Sequence, residues 1–190
     1  MHFQNMTDDE KETFRLYKSN SPFDGEDFFA NHVNTSLATN QPLGSKWQEK
    51  IASLDSIIER SPSPQETTVY RAMLEMHLPS AVGQELVYPS YMSTAAEEIA
   101  VSRHFASSMR SVPAALLIIQ CPAGTPMLDL ESNQSFGGLE QEYLLPRNSK
   151  FNILSRKRES DQATMSAVMG YYAKSYSELV IYELEYVSTF

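Results

Sequence analysis

Apolar residues in the first third of the chain recur at helical spacing. Trp47, Ile51, Leu54 and Ile58 stand four, three and four residues apart, which puts them on one face of an amphipathic helix with Ser45 as its cap. Asp27 to Leu37 predicts a shorter helix, with Phe29, Val33 and Leu37 at four-residue spacing. Ahead of it, the acidic run Asp8-Asp9-Glu10 opens a helix that carries Phe14 and Tyr17, and Thr7 stands where a cap is needed. Ser61-Pro62-Ser63-Pro64 ends this regime, because proline lacks the amide donor and fixes φ.

The pattern then changes to strands. Thr67 to Met73 is rich in β-formers, and Leu86 to Met92 is a second extended stretch. Ala95 to Met109 predicts a helix with Ile99, Val101 and Phe105 in the core. Ala114 to Cys121 is an apolar run broken only by Gln120, which suits a central strand. A short strand follows from Pro126 to Leu130. Tyr143 to Leu145 and Lys150 to Ser155 are two strands joined by the turn Pro146-Arg147-Asn148-Ser149. Gln162 to Ser175 leans helical, and Glu178 to Val187 alternates as the last strand should. The expected fold class is therefore α+β, in one domain: a helical N-terminal layer over residues 1–60, then a strand-rich core over residues 66–190.

Composition refines this picture. With 190 residues, 42% of them hydrophobic and 21% charged, the chain has an ordinary globular make-up. Its 24 acidic and 15 basic residues give a formal net charge of -9, which argues against nucleic acid or an anionic membrane as a main partner and favours a basic target surface. The one short basic run, Arg156-Lys157-Arg158, reads as a solvated strand end. Cys121 is the single cysteine and lies in an apolar run, so no intrachain disulfide forms and a buried thiol is expected. No secretory leader is visible at the N-terminus, and no apolar run approaches the roughly 20 residues that span a bilayer. His77 and His104 have no metal-ligand spacing with another His, Cys or acid, so no metal is expected.

Three stretches carry candidate chemistry. Arg71 sits in the first strand between Tyr70 and Ala72; it either faces solvent on an edge strand or lies buried against an anionic partner, which its planar fork suits. Ser93-Thr94 follows Tyr91-Met92 at a strand end, as a helix cap or as hydroxyls that orient a catalytic group. The third is Ser135-Phe136-Gly137-Gly138-Leu139-Glu140-Gln141-Glu142-Tyr143-Leu144-Leu145-Pro146. In an extended strand Glu140 and Glu142 would share a face, a costly arrangement of like charges unless the site serves a cation. Read alone, the pair is an ordinary exposed one.

Taken in order, Val69-Tyr70-Arg71, then Tyr91-Met92-Ser93-Thr94, then Glu140-Gln141-Glu142-Tyr143-Leu144-Leu145-Pro146 followed by Phe151-Asn152-Ile153 resemble the mono-ADP-ribosyltransferase family, in its arginine–serine–glutamate clade of bacterial toxins and effectors. The resemblance implies a mixed or antiparallel two-sheet core that holds NAD as co-substrate. No Gly-x-Gly-x-x-Gly is present for a Rossmann-type site. It assigns Glu142 to the oxocarbenium-like sugar cation, Ser93 to orienting Glu142, and Arg71 to the diphosphate or ribose side of NAD. Ala72 would hold nicotinamide through its backbone, and Thr94 and Arg110 would also meet NAD. Ala72 stands where the family often has glycine, and Ala95 where it has a second serine; neither change removes a group the chemistry needs.

Glu140 would receive the acceptor, and glutamate there goes with arginine acceptors, since a carboxylate pairs with a guanidinium and takes its proton. Phe136 with Gly137-Gly138 resembles the substrate-recognition loop; Phe136 either touches the target or packs in the core. The implied function is transfer of ADP-ribose from NAD to an arginine of a target protein by a monomeric effector or toxin, secreted or injected into the target cell's cytoplasm, or by a phage enzyme. An NAD glycohydrolase and a catalytically silent binding module are the alternatives.

Overall fold

Three helices open the chain in the computed structural model, which describes residues 2–26, 28–75, 78–79, 81–105, 111–133 and 141–189. They are α1 (Asp8–Ser19), α2 (Phe29–Ala38) and α3 (Ser45–Glu59). Helix α1 begins in a full capping box. The Thr7 hydroxyl accepts from the Glu10 amide at 3.3 Å, and the Glu10 carboxylate accepts from the Thr7 amide at 2.8 Å. That bond and Arg60 hold the Glu10 carboxyl below its ordinary range. Trp47, Ile51, Leu54 and Ile58 are all buried, as their spacing predicts. Gly44, not Ser45, is the N-cap of α3. Helix α2 starts at Phe29 because Phe28 has a φ of 63°, outside helical space; Asp27 lies outside the described residues.

Among the described residues eight strands follow: β1 (Thr67–Leu74), β2 (Glu85–Tyr88), β3 (Met92–Ala95), β4 (Ala114–Cys121), β5 (Leu128–Asp129), β6 (Glu142–Leu145), β7 (Ser149–Glu159) and β8 (Leu179–Ser188). They hydrogen-bond in the order β2-β7-β8-β4-β1-β3-β6-β5. Only β4 and β8 run parallel, which makes the sheet mixed. One ladder joins all eight strands where two sheets were expected. Its narrowest point is the β1–β3 contact, a single residue pair of Tyr70 with Ala95.

Several boundaries differ from the sequence pattern for physical reasons. Pro89, Ser90 and Tyr91 interrupt the expected strand Leu86 to Met92, so Ser93 and Thr94 belong to β3 rather than to its predecessor. Ala95 is consumed by β3, pairing with Glu142, so the segment after it starts late and winds as a 3-10 helix, Glu98–Phe105. Val101 and Phe105 are buried there, but Ile99 is 62% exposed. Residues 106–110 lie outside the described residues, as does His77. The strands on either side of Pro146 do not form a hairpin: β6 pairs with β3 and β5, and β7 with β2 and β8. The segment Gln162 to Ser175 is helix α4 (Gln162–Met169) continued by a 3-10 turn, Gly170–Ser175.

The core has three parts. Helices α1–α3 pack with Tyr91, Leu128, Leu130 and Leu144. Val69, Leu117, Ile119, Phe151 and Tyr182 fill a second cluster, and α4 with the 3-10 segments covers a third around Leu116. Cys121 is buried, and burial pushes its thiol up to about 12.

The corner after β6 is tied back to α3. Asp55 accepts from the Tyr91 hydroxyl at 2.6 Å and from Arg147 Nε and Nη2 at 3.0 and 2.9 Å. Burial and the Asp55 charge drive the Tyr91 hydroxyl above its ordinary range. Asp55→Ala leaves Arg147 unpaired and Tyr91 with only the Ile51 carbonyl at 3.2 Å. The expected loss in urea unfolding is about 2 kcal/mol, discounted because a third of the ion pair is solvated. A midpoint equal to wild type would show that this tie contributes nothing.

Candidate active site

Strand adjacency builds the site. Strand β3 lies between β1 and β6, and Ala95 pairs with Tyr70 on one side and Glu142 on the other. Arg71, Ser93 and Glu142, far apart in sequence, therefore open onto one cleft. Two adjoining cavities of about 220 and 430 Å³ share Arg71, Ser93, His104 and Glu142. Ala72 and Thr94 line the smaller one, and Lys18, Asn31 and Asn34 line the larger.

Arg71 is partly buried. Its Nη1 donates to the Ser93 carbonyl at 2.6 Å, its Nη2 to the Tyr88 hydroxyl at 3.1 Å, and its guanidinium carbon lies 5.5 Å from the centre of the Tyr88 ring. Nε is buried without a partner, and among the described residues no carboxylate pairs with the group. A cationic fork is thus held at the cleft without a carboxylate partner among the described residues. The solvent-facing alternative for Arg71 is set aside.

Ser93 and Thr94 are strand residues, not helix caps. Thr94 donates to the Tyr143 carbonyl at 3.0 Å and so locks β3 to β6. Ser93 lines the larger cavity together with the Tyr17 phenol. Burial pushes that phenol up to about 12, opposed by the Asn34 amide at 2.9 Å and the Arg71 charge.

Glu142 begins β6. Its carboxylate accepts from Lys18 Nζ at 2.6 Å, and the same ammonium donates to Glu131 at 2.9 Å. Gln141, just ahead of β6, has a φ of 42°, outside extended space. Glu140, Phe136, Gly137, Gly138 and Arg110 lie outside the described residues.

Lys18 and Glu131 were invisible to sequence reasoning. A lysine at the end of a helix resembles any solvated cation, and no local signal marks it. Asn34 and His104 likewise acquire their place in the cleft only from packing. Among the described residues no group of three or more His, Cys, Asp or Glu side chains could hold a metal ion. No described helix is long and apolar enough to cross a membrane.

The family model for ADP-ribosyltransferase exoenzymes matches residues 2–184. The chain belongs to the ADP-ribosyltransferase exoenzyme family. NAD is the co-substrate of these enzymes, and their solved structures are bacterial toxins.

Plx2a, an ADP-ribosyltransferase toxin from Paenibacillus larvae, is 19% identical with a TM-score of 0.67, over 97% of this chain and 89% of that one. BECa, the ADP-ribosylating toxin of a C. perfringens binary enterotoxin solved with NADH, is 13% identical with a TM-score of 0.70, and the match spans 97% of this chain but 45% of that chain. The ADP-ribosyltransferase Vis, solved with agmatine, is 19% identical with a TM-score of 0.68 over 98% of this chain and 78% of that chain. No curated protein matches this exoenzyme by sequence. At these identities the likeness is one of fold, and the mixed α/β architecture with one large sheet is that of the exoenzyme toxins.

Proposed function

We propose that residues 1–190 form one catalytic domain that transfers ADP-ribose from NAD to an arginine side chain of a target protein, as a bacterial toxin or effector acting in the target cell's cytoplasm. The observation that carries the reading is the convergence of Arg71 and Glu142 on one cleft, on strands flanking β3.

In the reaction the bond between the ribose anomeric carbon and the nicotinamide nitrogen breaks. Nicotinamide leaves neutral with the electron pair, so no acid is needed. The ribose is left oxocarbenium-like, as in glycoside hydrolysis. Glu142 stabilises that cation through the 2′-hydroxyl of the same ribose. Arg71 holds the diphosphate side, where a planar fork suits phosphate oxygens, and Tyr88 keeps it aimed. The Ala72 backbone takes the nicotinamide amide, and Thr94 holds the floor of that pocket. A guanidinium nitrogen of the target then bonds to the anomeric carbon and its proton passes to Glu140.

Arginine as the acceptor rests on Glu140 standing two residues before Glu142, with Phe136, Gly137 and Gly138 as the recognition loop. The Vis complex with agmatine, a guanidinium compound, is consistent with such an acceptor.

The test incubates labelled NAD and a cell lysate with wild type, Glu142→Ala and Glu140→Ala. Wild type alone is expected to label protein, at arginine, while Glu140→Ala still hydrolyses NAD. Free ADP-ribose without labelled protein across several lysates would establish a glycohydrolase instead. No NAD consumption at all would leave a silent module of the same fold.

A further inference from the structure

We propose that Lys18 is a positioning residue for Glu142 in ADP-ribosyl transfer, and that Glu131 fixes the same ammonium from its other side. The inference rests on the role given to Glu142 above.

Lys18 is in the last turn of α1, and that turn is held firmly. Tyr17 beside it is buried, bonded by Asn34 and packed edge-on against Tyr91 at 5.7 Å. Asn20, the left-handed C-cap, accepts from the Asn31 amide at 3.1 Å. Lys50 pairs with Glu12 at 2.5 Å and anchors α1 to α3.

Glu131 is delivered with equal care. Its amide donates to the Asp129 side chain at 2.8 Å, and the Leu130 amide donates to the Glu142 carbonyl at 2.9 Å. The three side chains are only 13%, 15% and 21% exposed. Removing three charges from water is costly, and a fold gains more from an apolar trio of the same size. A purely structural origin is therefore a poor account of the cluster.

The geometry has a consequence for a developing sugar cation. The ammonium takes Oε2 of Glu142, and among the described residues nothing takes Oε1, which is left for substrate. Glu131 takes the same ammonium at 2.9 Å, so Lys18 Nζ is fixed between two carboxylates and cannot swing about one. Burial alone would pull the Lys18 ammonium down, but Glu142 and Glu131 outweigh it and hold it above its ordinary range. Lys18 thus joins Ser93 in the task of orienting Glu142.

The experiment measures NAD hydrolysis without acceptor, the NAD dissociation constant by calorimetry, and the melting temperature, for wild type, Lys18→Met, Lys18→Arg and Glu131→Gln. Lys18→Met is expected to lower kcat about 10- to 100-fold while the dissociation constant changes less than about threefold. Lys18→Arg is expected to restore most of that loss, and Glu131→Gln to lower kcat about three- to tenfold with NAD binding intact.

Wild-type kcat in Lys18→Met overturns the proposal. So does a dissociation constant that rises in step with the loss of kcat, which would make Lys18 an NAD ligand. If Lys18→Met does not fold, the other two variants decide: unimpaired kcat in Glu131→Gln overturns the proposal, and its predicted loss beside an active Lys18→Arg supports it. A wild type that consumes no NAD removes the proposed reaction and this inference together. Normal wild-type turnover with an unaffected Lys18→Met removes the inference alone.

Discussion

Glu142→Gln is expected to lower NAD turnover about a hundred- to a thousandfold, with the NAD dissociation constant nearly unchanged. The substitution keeps the shape of the side chain and removes only its charge. Loss of one preorganised electrostatic contact to a transition state costs about 3–4 kcal/mol in a site that excludes water, which is this range. Strand β6 should be undisturbed, because its backbone pairing with β3 and β5 does not involve the carboxylate. Lys18 keeps Glu131 as its partner in the variant, so no buried ammonium is orphaned. The check is NAD consumption at saturating NAD beside a binding titration. Wild-type turnover would remove Glu142 from the chemistry, and parallel loss of binding would recast it as a ligand of the ground state.

Arg71→Lys is the second large effect, and it falls on binding. The guanidinium holds two neighbours at once, the Ser93 carbonyl and the Tyr88 hydroxyl, and still presents charge to the cleft. An ammonium is a point charge on a flexible stem and cannot keep both contacts while facing a diphosphate. The NAD dissociation constant is expected to rise about 30-fold, or ~2 kcal/mol, with a smaller change in kcat. Isothermal titration reads it directly. An unchanged constant would mean that Arg71 serves only to brace β3 against β1 and β2.

Helices α1–α3 were legible because their apolar residues follow a local rule. The 3.6-residue period puts Trp47, Ile51, Leu54 and Ile58 on one face whatever the face meets. Strand β4 was legible as an apolar run, since a strand covered on both faces needs no polar alternation. The turn at Pro146 was legible, but sequence adjacency does not say which strands β6 and β7 pair with. Arg147 turns the chain towards Asp55 on α3, so β6 and β7 go to different neighbours.

Residue types and their order determined the family. Val69-Tyr70-Arg71, Tyr91-Met92-Ser93-Thr94 and Glu140-Gln141-Glu142 stand in the order the resemblance needs, and they single out Arg71, Ser93 and Glu142 as the residues proposed for the chemistry. What only the tertiary structure decided is how the carboxylate is held. Sequence order says nothing of a lysine 124 positions away, because the approach of α1 to β6 is set by the burial of Tyr17 and Tyr91 between layers. Long-range electrostatics has no sequence period. It appears when packing has fixed the distances, and here packing brings Lys18 to Glu131 and Glu142.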